Sequence, residues 1–96
     1  MRPVASLEPH RGADAVCTLR VHDAGAAAGG PYAWACTAVL RGDEARLFGA
    51  LATPTPAQWR AIAEVLREHG MRRVTWERRT KRGVRNVLVE LNQTHP

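Results

Sequence analysis

Ninety-six residues make one small core, burying roughly 60–65% of the surface an unfolded chain of this size exposes, and leave no room for a second domain within them. Hydrophobic residues at 45% and charged residues at 24% are globular proportions, so disorder is not expected. A formal net charge of +5 favours acidic partners, whether nucleic acid, anionic lipid or an acidic protein face.

No segment approaches the ~20 apolar residues of a membrane span, and the opening MRPVASLEPHRGADAV lacks the apolar run of a secretory signal. A cytoplasmic protein is expected. Cys17 and Cys36 stand far apart with no C-x-x-C pair, which points to buried, reduced thiols rather than a zinc site.

Residues 1–13, with Pro3, Pro9, a His-Arg pair and Gly12, read as a loose N-terminal arm, and 14–92 as a single α+β domain. In VCTLRVH, Cys17, Leu19 and Val21 alternate with Val16, Thr18, Arg20 and His22, the pattern of a half-buried strand. DAGAAAGGP then offers nothing to pack and reads as a connector.

From Tyr32 to Leu51 the chain reads as a hairpin folded at Gly42-Asp43. That register sets Arg41 against Glu44, Leu40 against Ala45, Ala38 against Leu47, Cys36 against Gly49 and Trp34 against Leu51, leaving one face apolar. A slip of one residue would scramble the separation. The Arg41-Gly42-Asp43 string is turn chemistry in this reading, not an adhesion motif.

The next stretch, TPTPAQWRAIAEVLREHGM, predicts a helix. Thr55 suits the N-cap, Pro56 the first helical position and Gln58 the capping-box partner. Trp59, Ile62, Ala63 and Leu66 form an apolar stripe, and Gly70 stands as the terminating glycine with Met71 folding back. His69 falls where it can interact with the last carbonyls.

Residues 71–91, MRRVTWERRTKRGVRNVLVEL, carry seven Arg or Lys residues around Trp76. A turn at TKRG makes a second hairpin with Trp76 opposite Val87, Val74 opposite Val89, Arg78 opposite Arg85 and, on the reverse face, Arg73 opposite Glu90, Thr75 opposite Leu88 and Glu77 opposite Asn86. A three-residue loop would set Val74 against Glu90 and is disfavoured. The register divides the cations: Arg73 is expected to pair with Glu90, whereas Arg78, Arg79, Lys81, Arg82 and Arg85 gather at the tip with Glu77 as the one nearby acid.

The expected fold is a two-layer α+β sandwich, a mainly antiparallel five-stranded sheet in the order βββαββ with one helix on one face. Its expected core is Trp34, Leu40, Leu47, Leu51, Trp59, Ile62, Leu66, Val74, Trp76, Val87 and Val89. His10, His22, His69 and His95 are scattered without metal-ligand spacing, and pairing Cys17 or Cys36 with His22 as nucleophile and base is disfavoured because both thiols read as inward-facing. No metal and no catalytic residue are expected.

The order of elements over about residues 15–91 resembles the central part of GNAT-type acetyltransferases. That resemblance implies acetyl transfer, with coenzyme A pyrophosphate held by a glycine-containing, basic loop before the helix. Here the same place reads GALATPTPAQW, with Gly49 read inside the strand and Pro54 and Pro56 removing two amide donors, so no cofactor is expected. The run from TPAQW to VLVEL is also similar to short uncharacterised proteins encoded by bacteriophages and prophages of GC-rich hosts. It implies a small factor that docks on a host complex, such as a nucleic-acid-processing or CRISPR effector assembly, as an anti-CRISPR protein would.

Together these readings predict a non-catalytic binding protein. It would engage nucleic acid or an acidic protein surface through Arg78, Arg79, Lys81, Arg82 and Arg85, by backbone contacts with little sequence reading. A reduced acetyltransferase relative is the alternative enzyme-derived reading. An unpaired first or last strand also allows a homodimer through a sheet edge.

Overall fold

The computed structural model describes residues 3–22, 33–50 and 52–91, of which 13, 14 and 78–80 as backbone only. Six strands and one helix follow in the order β1 (Val4–His10), β2 (Ala13–His22), β3 (Trp34–Arg41), β4 (Glu44–Phe48), α1 (Pro56–Glu68), β5 (Arg73–Thr80) and β6 (Gly83–Glu90). Their order across the sheet is their order along the chain. Every neighbouring pair is antiparallel except β4 and β5, which run parallel. The exception follows from α1, because a helical crossover returns the chain to the level at which β4 began.

The α+β architecture with its single helix is as expected, but the sheet has six strands rather than five and is mixed. The added strand is β1, in the segment read from sequence as a loose arm. Ala5 and Leu7 pack against the core from this strand, while Val4, Ser6 and Glu8 face solvent. Pro9 is tolerated because β1 is an edge, where a missing N–H breaks no inner ladder, and the pairing shifts between Pro9 and His10.

Both expected hairpin registers are present. Arg41 pairs with Glu44, Leu40 with Ala45 and Ala38 with Leu47, and β5 and β6 pair from Arg73↔Glu90 to Thr80↔Gly83. The first ladder is shorter than expected. It stops at Thr37↔Phe48, so Cys36 has no Gly49 opposite it, and Leu51 lies outside the described residues. Gly49 is not inside a strand: its φ of 71° turns the chain out of the sheet toward the helix.

The helix is built by the signals in its sequence. Thr55 Oγ1 accepts from the Gln58 amide at 3.1 Å while Gln58 Oε1 accepts from the Thr55 amide at 2.9 Å, the reciprocal capping box. At the other end Gly70 at φ 82° lets its amide reach the Arg67 carbonyl at 3.0 Å and the Met71 amide reach the Leu66 carbonyl at 2.9 Å, a Schellman closure with Met71 buried. His69 Nδ1 lies 2.8 Å from the Val65 carbonyl oxygen. Thr55→Ala is expected to cost about 1 kcal/mol, read as a fall in Tm of about 4–8 °C.

Helix and sheet enclose one core: Leu19, Val21, Trp34, Cys36, Ala38, Ala45, Leu47, Ile62, Ala63, Val65, Leu66, Met71, Val74 and Leu91. Leu40, Trp59, Trp76 and Val89 of the expected set are only partly buried and pack at its margin, and Val87 is half-buried. The helix explains the shift, since its closest strands are β1 and β2, which leaves the β5–β6 side thinly covered. Trp59 and Trp76 close that side together, ring centroids 5.3 Å apart and tilted by 55°.

Candidate functional site

The β4–β5 ladder ends at Leu47↔Trp76, yet β5 and β6 continue to pair through Glu77↔Asn86, Arg78↔Arg85, Arg79↔Val84 and Thr80↔Gly83. Four residue pairs, or roughly 13 Å at the usual strand rise, therefore run past the last pairing with β4 as a two-stranded ribbon. Lys81 and Arg82 form the turn, and both are exposed, as is Arg85. Gly83, at φ 123°, closes that turn.

The ribbon places all five expected residues together at one end. Arg78 and Arg79 hold strand positions in β5, and their side chains lie outside those described. Arg78 stands directly across from Arg85, a like-charge arrangement that destabilises a strand pair. Lys81 and Arg85 have no ion-pair partner among the described residues. The exposed Glu77, at the base of the ribbon, is its one acid.

The stem behaves differently. Arg73 stands across from Glu90 as expected, but its guanidinium Nη2 donates to Asp43 Oδ1 at 2.8 Å rather than to Glu90. The Asp43 carbonyl accepts from the amides of Arg72 and Arg73, at 2.6 and 3.1 Å, so the β3–β4 turn is clamped to the start of β5. A turn aspartate 30 residues from its partner leaves no mark in the local pattern. The stem cation Arg73 is thus held by an acid of the same molecule, whereas Lys81 and Arg85 on the ribbon are exposed without one among the described residues.

The sheet face turned away from α1 has no second layer among the described residues. Its exposed large apolar residues are Val4, Phe48, Val84 and Leu88. Polar and charged neighbours intervene: Arg46 lies over the Phe48 ring at 5.5 Å, Glu8 pairs with Arg20, and Thr75 Oγ1 donates to Glu44 Oε1 at 3.4 Å.

Where β4 stops short, an open cavity of about 400 Å³ lies beside β3, lined among others by Thr18, Trp34, Cys36, Thr37, Gly49 and Ala52. Trp34 Nε1 donates to the Ala52 carbonyl at 2.8 Å and fixes its rim. None of the residues lining it carries a charge.

Cys17 and Cys36 are both free and buried, on the face of the sheet turned to the helix, while His22 occupies the alternate face of β2. Burial pushes the Cys36 thiol up to about 12, against a smaller opposing effect of a hydrogen bond with the Phe48 backbone. A thiol held protonated is a poor nucleophile. Folding stability should accordingly fall as pH rises from about 9 toward 12, where the unfolded thiol ionises and the folded one does not. Urea midpoints measured over that range should decline less steeply for Cys36→Ala.

The N-terminus of α1 can be tested as the pyrophosphate cradle that the acetyltransferase resemblance implies. Pro56 has no amide hydrogen, the Gln58 amide is given to Thr55 Oγ1, and the Trp59 amide to the Thr55 carbonyl at 2.8 Å. Of the first three helical positions only Ala57 keeps an amide not spent on the cap, one donor where a pyrophosphate cradle needs several, so the residues present fit coenzyme A poorly there. Among the described residues no three His, Cys, Asp or Glu side chains gather as metal ligands would, and no helix is long and apolar enough to cross a membrane. In comparisons with known proteins, no family model, no curated protein and no solved structure matches this chain.

Proposed function

We propose that this chain is a non-catalytic binding protein that engages a polyanionic macromolecule, nucleic acid in the first instance, through the tip of the β5–β6 ribbon. The observation that carries the reading is the division of the cations. Arg73 is tied to Asp43, whereas Lys81 and Arg85 stand exposed on a two-stranded projection with like charges opposed across it. A ribbon of this kind is narrow enough for the major groove of a duplex, and phosphate contacts would relieve its self-repulsion.

Binding to random-sequence duplex DNA measured across a salt series tests the reading. Up to five phosphate contacts give a log–log slope as steep as about −4.5, and a slope near zero would overturn it. A second reading keeps the same residues but takes an acidic protein surface as the target, as a factor directed at a host defence complex would. It is favoured by the composition of the ribbon, which carries no aromatic residue from Glu77 to Asn86 on which a base could stack, while the neighbouring Trp76 packs against Trp59. Capture of a host protein that survives nuclease treatment, with no duplex binding, decides for this second reading.

A further inference from the structure

The two edges of the sheet are not alike. β1 is guarded against pairing by Pro9 and by the irregularity at Pro9/His10. β6 has eight residues, no proline and an unbroken ladder with β5, and no described strand pairs with its outer edge. It also carries Val84 and Leu88, 58% and 57% exposed, two residues that a free edge strand gains nothing by showing to water. Past β4 the β5–β6 ribbon has only two strands, a unit that is marginal in water without a third.

We propose that β6 pairs antiparallel with β6 of a second copy of this chain, centred on Asn86, to form one continuous sheet across the dimer. The inference goes beyond the tip reading and does not rest on it. A two-fold axis perpendicular to the sheet keeps each residue on its own face, so paired residue numbers must add to an even constant. Centring on Arg85 opposes two arginines. Centring on Val87 sets Val84 against Glu90 and Leu88 against Asn86, and centring on Leu88 leaves Val84 without a partner. Centring on Asn86 matches Val84 with Leu88 twice, on the face away from the helix, and brings Arg82 level with Glu90 of the other copy. Apolar and opposite-charge pairs at these positions are the ones that stabilise a strand pair. The two tips then point in opposite directions, roughly 27 Å apart along the strands, and each keeps Lys81 and Arg85 outside the apolar pairs.

The test has three parts. Light scattering across a concentration series should give a mass approaching twice the 10.5 kDa of the chain. Asn86→Cys, an exposed substitution, should form a covalent dimer on mild oxidation, because opposed residues in an antiparallel pair lie within disulfide reach, whereas the unaltered protein, with Cys17 and Cys36 buried, should not. Val84→Glu with Leu88→Glu should raise the dimer dissociation constant at least about ten-fold while circular dichroism shows the fold retained. A protein that stays monomeric throughout, a dimer indifferent to the glutamates, or a dimer that the Asn86→Cys substitution fails to cross-link overturns the proposal.

Discussion

Removal of residues 1–10 is expected to abolish or severely weaken cooperative folding. The segment becomes β1, whose Leu7 pairs with Leu19 and whose Ala5 pairs with Val21. Both partners are fully buried, and the helix makes its closest strand approach to β1 itself. Deleting the strand strips one flank of α1 and opens the edge of β2 to water. Losing the Leu7 contacts and exposing part of Leu19 and Val21 costs on the order of 3 kcal/mol or more. Domains of this size hold only about 5–15 kcal/mol in total. Urea denaturation followed by helix ellipticity measures it directly: a midpoint unchanged by the deletion would show that β1 adds nothing to the folded unit.

The same strand marks where the sequence stops being legible. A proline among seven residues reads as a breaker, and only the tertiary fact that β1 is an edge makes Pro9 harmless. Side-chain parity was enough for both hairpins, because a slip in either would have moved charges onto the buried face. Parity does not say where a ladder ends. The β3–β4 pairing stops at Phe48 because Gly49 takes a left-handed backbone, and a glycine is equally at home within a strand pattern and beyond it.

The helix was legible in its caps and its stripe, but not in its position over the sheet. Because α1 lies toward β1 and β2, residues counted as core at the far side, Trp76, Val87 and Val89, are only half covered, while small residues such as Ala38 and Ala45 are fully buried near the middle. The site shows the same limit. That five cations gather at a hairpin tip follows from local register, whereas the capture of Arg73 by Asp43 depends on β4 and β5 lying side by side, which no local pattern encodes. Sequence identified the cluster, and the long-range clamp separates its structural member from the rest.

That separation makes the second large prediction specific. Replacing Lys81, Arg82 and Arg85 together by alanine should weaken duplex binding by a few hundred-fold at ~0.1 M salt, because each phosphate contact contributes about 0.9 to the salt exponent. The slope itself should fall by about 2.7. Stability should change little, since the three side chains are exposed and the loss of Arg85 relieves its repulsion with Arg78 across the ribbon. Net charge alone would also reduce polyanion binding, so the comparison that decides is a variant with the same change in charge elsewhere: Arg11, Arg41 and Arg60, likewise exposed, replaced by alanine. If the tip acts as a site, the first variant loses both affinity and slope and the second keeps most of each. Equal losses in the two would mean that the molecule attracts polyanions as a diffuse positive body, and the ribbon would then have no privileged role.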